Sequence, residues 1–119
     1  MITGHCHCGA IAYEFEDAPP FAVRCNCSLC MRLGPLWIYA RPEKVRFTGL
    51  HDQTIQYSHG PRNLIFHTCK TCGTTTHWSR RDGDTSRKMG VNLNLADLSV
   101  VQSIRVRHLD GADSWEFLD

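Results

Sequence analysis

Three features of the 119-residue sequence point to a mainly β domain. Short runs rich in β-branched and aromatic residues recur along the chain, Pro, Gly and polar clusters separate them at regular spacing, and helix signals are scarce. The first run, Ile11-Ala12-Tyr13-Glu14-Phe15-Glu16, puts Ile11, Tyr13 and Phe15 on one face at period two before Pro19-Pro20 ends it. Ser28 to Leu33 has room for a turn or two of helix, stopped by Gly34-Pro35. Leu36-Trp37-Ile38-Tyr39-Ala40 is a second strand, broken by Pro42 ahead of Val45-Arg46-Phe47-Thr48. Thr54–Tyr57 and Asn63–His67 flank Ser58-His59-Gly60-Pro61-Arg62 as a hairpin with a longer loop. Further strands are expected near Thr74–Trp78, Gly90–Leu95 and Ile104–His108, with a helical turn at Leu95-Ala96-Asp97-Leu98.

This length suits one domain, expected over residues 1–119, with no low-complexity stretch, repeat or linker dividing it. No apolar run approaches the roughly 18–20 residues of a membrane span. The N-terminal residues Met1-Ile2-Thr3-Gly4-His5-Cys6 lack the basic and apolar regions of a secretory signal, so a cytoplasmic location is expected. A formal net charge of +1, from intermixed acidic and basic residues, argues against a nucleic-acid or membrane partner. The oligomeric state is not legible.

Cysteine is the outlier. Seven cysteines would leave one unpaired in a disulfide framework, and in a reducing compartment clustered cysteines more often hold metal than each other. They fall as Cys6-His7-Cys8, Cys25-Asn26-Cys27-Ser28-Leu29-Cys30 and Cys69-Lys70-Thr71-Cys72. Tetrahedral zinc, with Zn–S near about 2.3 Å, needs sulfurs roughly 4 Å apart, which only sharply turning segments can deliver. Seven ligands divide as four plus three. The middle cluster can supply three sulfurs from one loop, leaving Cys6, Cys8, Cys69 and Cys72 as a closed site. Gly9 after Cys8 and Gly73 after Cys72 tolerate the positive φ that a knuckle often needs. The expectation is thus two Zn2+ ions per chain, a structural one on the four cysteines and an open one on Cys25, Cys27 and Cys30. Three protein ligands with an exchangeable fourth position is the pattern of catalytic zinc. The alternative is a second structural site completed by His5, His7, His67 or His77.

The order Cys-x-Cys-Gly, Cys-x-Cys-Ser-x-Cys, Cys-x-x-Cys-Gly-Thr resembles the glutathione-dependent formaldehyde-activating enzyme family, also called the centromere-protein-V/GFA domain. The resemblance runs from Gly4-His5-Cys6-His7-Cys8-Gly9 to His108-Leu109-Asp110-Gly111-Ala112-Asp113-Ser114-Trp115. It implies an Mss4-like fold of small antiparallel sheets around zinc. It also implies the same partition: Cys6, Cys8, Cys69 and Cys72 match structural ligands, and Cys25, Cys27 and Cys30 match catalytic ones. In the activity that names the family, glutathione adds to formaldehyde to give S-hydroxymethylglutathione, a carbon–sulfur lyase reaction read backwards. The implied partner is a small thiol–aldehyde adduct, with glutathione one candidate thiol. The wider fold also admits a non-catalytic zinc module that binds a protein partner. Many family members carry two basic residues after the third cysteine of the middle cluster; here Met31-Arg32 follows Cys30.

Arg32, Arg62, Arg80 and Arg81 are candidates for gripping the carboxylates of such a ligand, Arg32 foremost because it lies two residues from Cys30. His77-Trp78 is placed to line the open site, with His77 as a proton shuttle; the commoner alternative is a histidine packed in a strand. Trp37, Trp78 and Trp115 are read as core or pocket walls, with Trp115 closing the core after an Asp110-Gly111 turn. Asn92 and Asn94 are weaker candidates for supporting the site.

Overall fold

Ten short strands carry the chain: β1 Ile2–His5, β2 Ala12–Phe15, β3 Ala22–Cys25, β4 Trp37–Ala40, β5 Val45–Thr48, β6 Thr54–Tyr57, β7 Leu64–Cys69, β8 Thr75–Arg80, β9 Met89–Asn92 and β10 Val106–Leu109. Two six-residue helices, α1 Ser28–Leu33 and α2 Leu98–Ser103, complete the regular structure, and the computed structural model describes all residues 1–119. The strands form a three-stranded sheet, β1-β2-β5, and a seven-stranded sheet, β10-β3-β4-β9-β8-β7-β6. All pairings are antiparallel except β10 with β3. This is a mainly β architecture consistent with the Mss4-like fold. No helix is long and apolar enough to cross a membrane.

Alternation along the strands decides what lies between the sheets. Ile11, Tyr13 and Phe15 are buried, as the period-two pattern predicts, and they pack with Leu36, Ile38, Ala40, Met89 and Val91 in the main core. Trp37 and Tyr39 sit at the alternate positions of β4 and face the other way, towards Phe66 and Trp78. The seven-stranded sheet therefore has an aliphatic face turned to its partner sheet and an aromatic face turned outward. Each large side chain fully buried in the core contributes on the order of 1.5–3 kcal/mol.

Asn92 ties the core together. Its side-chain oxygen accepts from the N–H groups of Leu36 (3.2 Å) and Asn94 (3.1 Å), and its amide donates to the Thr75 carbonyl (2.8 Å). By accepting from Asn94 it caps a 3-10 turn at Leu93–Leu95, which is why β9 stops at Asn92 and does not run on to Leu95. The expected helical turn at Leu95–Leu98 is correspondingly displaced to α2, whose first residue is Leu98. Strands β1 and β3 escaped the sequence reading; in β3 the exposed Arg24 stands among buried neighbours and blurs the alternation.

Candidate metal centres and their cavity

The seven cysteines gather into two groups, Cys6/Cys8/Cys69/Cys72 and Cys25/Cys27/Cys30, with the sulfurs of each group all within 4.8 Å of one another. The four-plus-three partition read from spacing is the one the fold brings together.

The first group joins the two sheets. Cys6 follows β1 and Cys69 ends β7, so the sulfurs meet where the three-stranded sheet abuts the seven-stranded one. Each half is a tight turn: Gly9 N–H donates to the Cys6 carbonyl (3.0 Å) and Gly73 N–H to the Cys69 carbonyl (2.9 Å). The φ values of Gly9 and Gly73 are 82° and 78°, the left-handed region glycine enters without penalty. Cys8 Sγ lies 3.7 Å from both Cys6 Sγ and Cys69 Sγ. Tetrahedral bonds of about 2.3 Å require close to this spacing. The Thr74 hydroxyl, 3.3 Å away, and backbone N–H groups hold Cys72 down at about 5. For Cys8 the Ala10 N–H favours the thiolate, but burial and the neighbouring sulfurs prevail and raise it to about 11. Sulfurs this close cannot all ionise without a cation between them, and backbone N–H groups already stabilise the anionic form. The donor set fits a thiophilic metal ion.

The second group comes from one loop. Cys25 ends β3, Cys27 is the N-cap of α1 and Cys30 lies in its first turn. The helix stops as expected: Gly34, at φ 71°, donates its N–H to the Cys30 carbonyl. The Cys27 N–H donates to Cys25 Sγ, the Cys30 N–H to Cys27 Sγ and the Trp37 indole N–H to Cys30 Sγ, each at 3.4 Å. Cys25 is lowered to about 6, first by its hydrogen bond with Cys30 and then by the N–H groups of Cys27 and Gly111, against the effect of burial. Cys30 is driven strongly upward by Cys25 and by burial. Cys25 and Cys30 thus share a proton between neighbouring sulfurs, a pair that a thiophilic cation would stabilise. No histidine nitrogen lies within 4.8 Å of all three sulfurs, so His5, His7, His67 and His77 do not complete this group.

These three sulfurs open onto a cavity of about 680 Å³. Its floor is the aromatic face of the seven-stranded sheet, namely Trp37, Tyr39, Phe66 and Trp78, and its rim includes His59, Lys88 and Trp115. Gly90 makes the floor possible. It pairs with Tyr39 on one side and Trp78 on the other, and a Cβ there would collide with the Trp78 indole. The two rings meet across it, with centroids 6.0 Å apart. Gly111 closes the opposite side, since a Cβ there would collide with Cys25 Sγ.

Several sequence candidates lie elsewhere. His77 and Trp78 are adjacent on β8 and so point to opposite faces. Trp78 lines the cavity, whereas His77 is buried between the sheets, stacked on His67 (4.1 Å, 3°) and packed at a tilt against Phe47 (4.2 Å, 34°), with Nδ1 2.8 Å from the Thr76 hydroxyl. Desolvation, aided by His67, lowers His77 to about 3, which keeps it neutral and unsuited to proton shuttling. Arg32 points away and donates to the Ser28 carbonyl (2.7 Å). Arg80 is paired with Asp82, and Arg81 with the Arg62 carbonyl and Ser58. Trp115 does not close the core: it is 67% exposed and stands at the cavity mouth. Asn94 donates to the Gly34 carbonyl (3.1 Å), while Asn92 supports the core. Tyr39, His59, Phe66, Lys88, Gly90 and Gly111 were missed as site residues. The alternation of aromatic with aliphatic residues in Leu36-Trp37-Ile38-Tyr39-Ala40 was the available signal for the first.

Fold and site together define a small β-rich protein with two cysteine-built centres able to hold metal ions, one between sheets and one at a cavity. The chain belongs to the glutathione-dependent formaldehyde-activating enzyme family, whose model matches residues 1–106. It is also similar to a Rhodobacter sphaeroides protein of known crystal structure, with 30% identity and a TM-score of 0.70 over 88% of this chain and 99% of that one. None of the curated proteins matches the chain.

Proposed function

We propose that this chain is a zinc-dependent carbon–sulfur lyase acting on a thiol–aldehyde adduct of the S-hydroxymethylglutathione type. In this reading residues 1–119 work in the cytoplasm as one centromere-protein-V/GFA-type domain. Cys6, Cys8, Cys69 and Cys72 hold a structural zinc, and Cys25, Cys27 and Cys30 hold the zinc at which substrate reacts. The observation that carries the reading is the exposure of three convergent sulfurs, with no fourth protein ligand, to a cavity walled by aromatic rings.

What bound zinc supplies at such a centre is Lewis acidity, which favours a thiolate at neutral pH or polarises an aldehyde carbonyl. The chain's own groups do the rest. The N–H groups of Cys27, Cys30 and Trp37 fix the sulfurs in position, and the rings of Trp37, Phe66 and Trp78 exclude water from the reacting atoms. In the synthetic direction the thiol sulfur bonds to the aldehyde carbon and the thiol proton ends on the carbonyl oxygen. In the lyase direction the same S–C bond breaks and the hydroxyl proton returns to sulfur.

The test is formaldehyde exchange with a thiol, followed in the wild-type protein and in Cys27→Ala, alongside zinc per chain. The expected result is acceleration by the wild type, none by Cys27→Ala, and zinc falling from two to one with the fold retained. Equal exchange rates with and without protein would sink the reading.

A further inference from the structure

The lining of the cavity says more about substrate than the family resemblance does. Glutathione carries two carboxylates and one ammonium at neutral pH, and a site for it needs cations for the former and an acid for the latter. Apart from the cysteines, Lys88 is the one charged residue lining this cavity; no Arg, Asp or Glu does so. Three of the candidate arginines are engaged elsewhere, Arg32 on the Ser28 carbonyl, Arg80 on Asp82 and Arg81 on the Arg62 carbonyl and Ser58, and Arg62 is not among the residues lining the cavity. Aromatic rings dominate instead. Trp37, Tyr39, Phe66 and Trp78 pave the floor, with neighbouring centroids 6.0–6.1 Å apart.

Two features at the mouth point the same way. Trp115 holds a bulky side chain at φ 61°, a conformation costly for such a residue, and is pinned there by its N–H donating to the Asp110 carbonyl (2.8 Å). The residue is 67% exposed although it borders an apolar cavity. An indole kept in this position has uncovered apolar surface that a flat ligand would bury. Lys88, exposed at the rim, has its Nζ 4.0 Å from the Tyr39 ring centroid, so its charge borders the rings.

We propose that the cavity selects adducts built on an aromatic thiol or aldehyde bearing a single carboxylate, with the ring between Trp115 and the aromatic floor and the carboxylate on Lys88. This rests on the cavity being the substrate site of the proposed lyase. All three tryptophans of the chain line it, so intrinsic fluorescence reports on its occupancy.

The test uses probes with neither thiol nor aldehyde: 4-phenylbutyrate, its neutral amide and S-methylglutathione, titrated by fluorescence and calorimetry into the protein as purified. The acid is expected to bind saturably and about tenfold more tightly than the amide, the margin of one charge-assisted hydrogen bond. S-methylglutathione is expected to bind at least about tenfold more weakly than the acid. Lys88→Met removes the preference for acid over amide, Lys88→Arg keeps it, and Trp115→Ala weakens acid and amide alike. Binding of S-methylglutathione as tight as that of the acid overturns the proposal, as does an acid-to-amide ratio unchanged in Lys88→Met. Because binding is read apart from turnover, exchange of formaldehyde without a ring preference overturns this inference alone. A ring preference without exchange supports the aromatic-carboxylate ligand class of the cavity and removes the lyase reading, and with it the adduct as substrate.

Discussion

Replacing Gly111 with alanine tests how far the C-terminal turn shapes the three-sulfur centre. Gly111 is buried, and a Cβ built on it would fall far inside contact distance of Cys25 Sγ and 3.2 Å from Cys27 Cβ. Heavy-atom contacts relax at about 3.5–4.0 Å, so either the sulfur retreats by roughly an ångström or the turn lifts away. Both routes remove the Gly111 N–H from Cys25, one of the groups that favour its thiolate. Gly111 has no positive φ, so backbone strain adds nothing to the effect. Disturbing groups that orient a metal ligand typically costs about 10–100-fold in affinity, which is about 1.4–2.7 kcal/mol. The assay is competition for zinc with a graded chelator, with metal per chain, circular dichroism and melting followed together. The expected outcome is one zinc held as in the wild type and one held about 10–100-fold more weakly. Two zincs at wild-type affinity in Gly111→Ala would refute the claim that this turn supports the centre.

Three further outcomes are expected. If Cys6, Cys8, Cys69 and Cys72 hold a structural zinc as proposed, Cys69→Ala should yield unfolded or insoluble protein, because such an ion contributes about 10–16 kcal/mol in apparent terms, comparable with the whole stability of a small domain; a soluble variant with unchanged melting would refute this. Asn92→Ala leaves the Leu36 and Asn94 N–H groups and the Thr75 carbonyl without their partner, so denaturant titration should show a loss of about 3 kcal/mol, at roughly 1 kcal/mol or more for each stranded group. The third concerns pH. With His77 held near 3 in the fold, the unfolded chain binds the extra proton as pH drops below the ordinary histidine value of 6.5, so stability falls with falling pH between 6.5 and about 3. At pH 5 that loss is about 2 kcal/mol, and His77→Gln should show a shallower decline over this window in paired denaturation curves.

Local chemistry was legible before any tertiary contact was known. The grouping of Cys6, Cys8, Cys69 and Cys72 apart from Cys25, Cys27 and Cys30, the left-handed glycines at 9 and 73, and the stop of α1 at Gly34 all follow from short-range geometry. A sulfur pair two or three residues apart either turns tightly or does not serve, and a glycine beside it marks the turn. The strands of the Thr54–His67 hairpin and the buried face of β2 follow equally from period-two patterning.

What tertiary structure alone decided is which face each strand shows to the cavity and what closes it. His77 and Trp78 are both plausible wall residues from the sequence, yet alternation admits only one, and the choice depends on which face of β8 meets the partner sheet. A one-residue change of register would reverse it. Gly90 and Gly111 gain their roles only because β8 lies against the one and the end of β3 against the other, at separations of 12 and 86 residues along the chain for Trp78 and Cys25. Trp115 stands at the cavity mouth and outside the core because the Asp110 carbonyl holds its backbone there. Cysteine spacing encodes turns within a few residues, whereas a cavity wall is assembled from distant strands whose pairing no local pattern specifies.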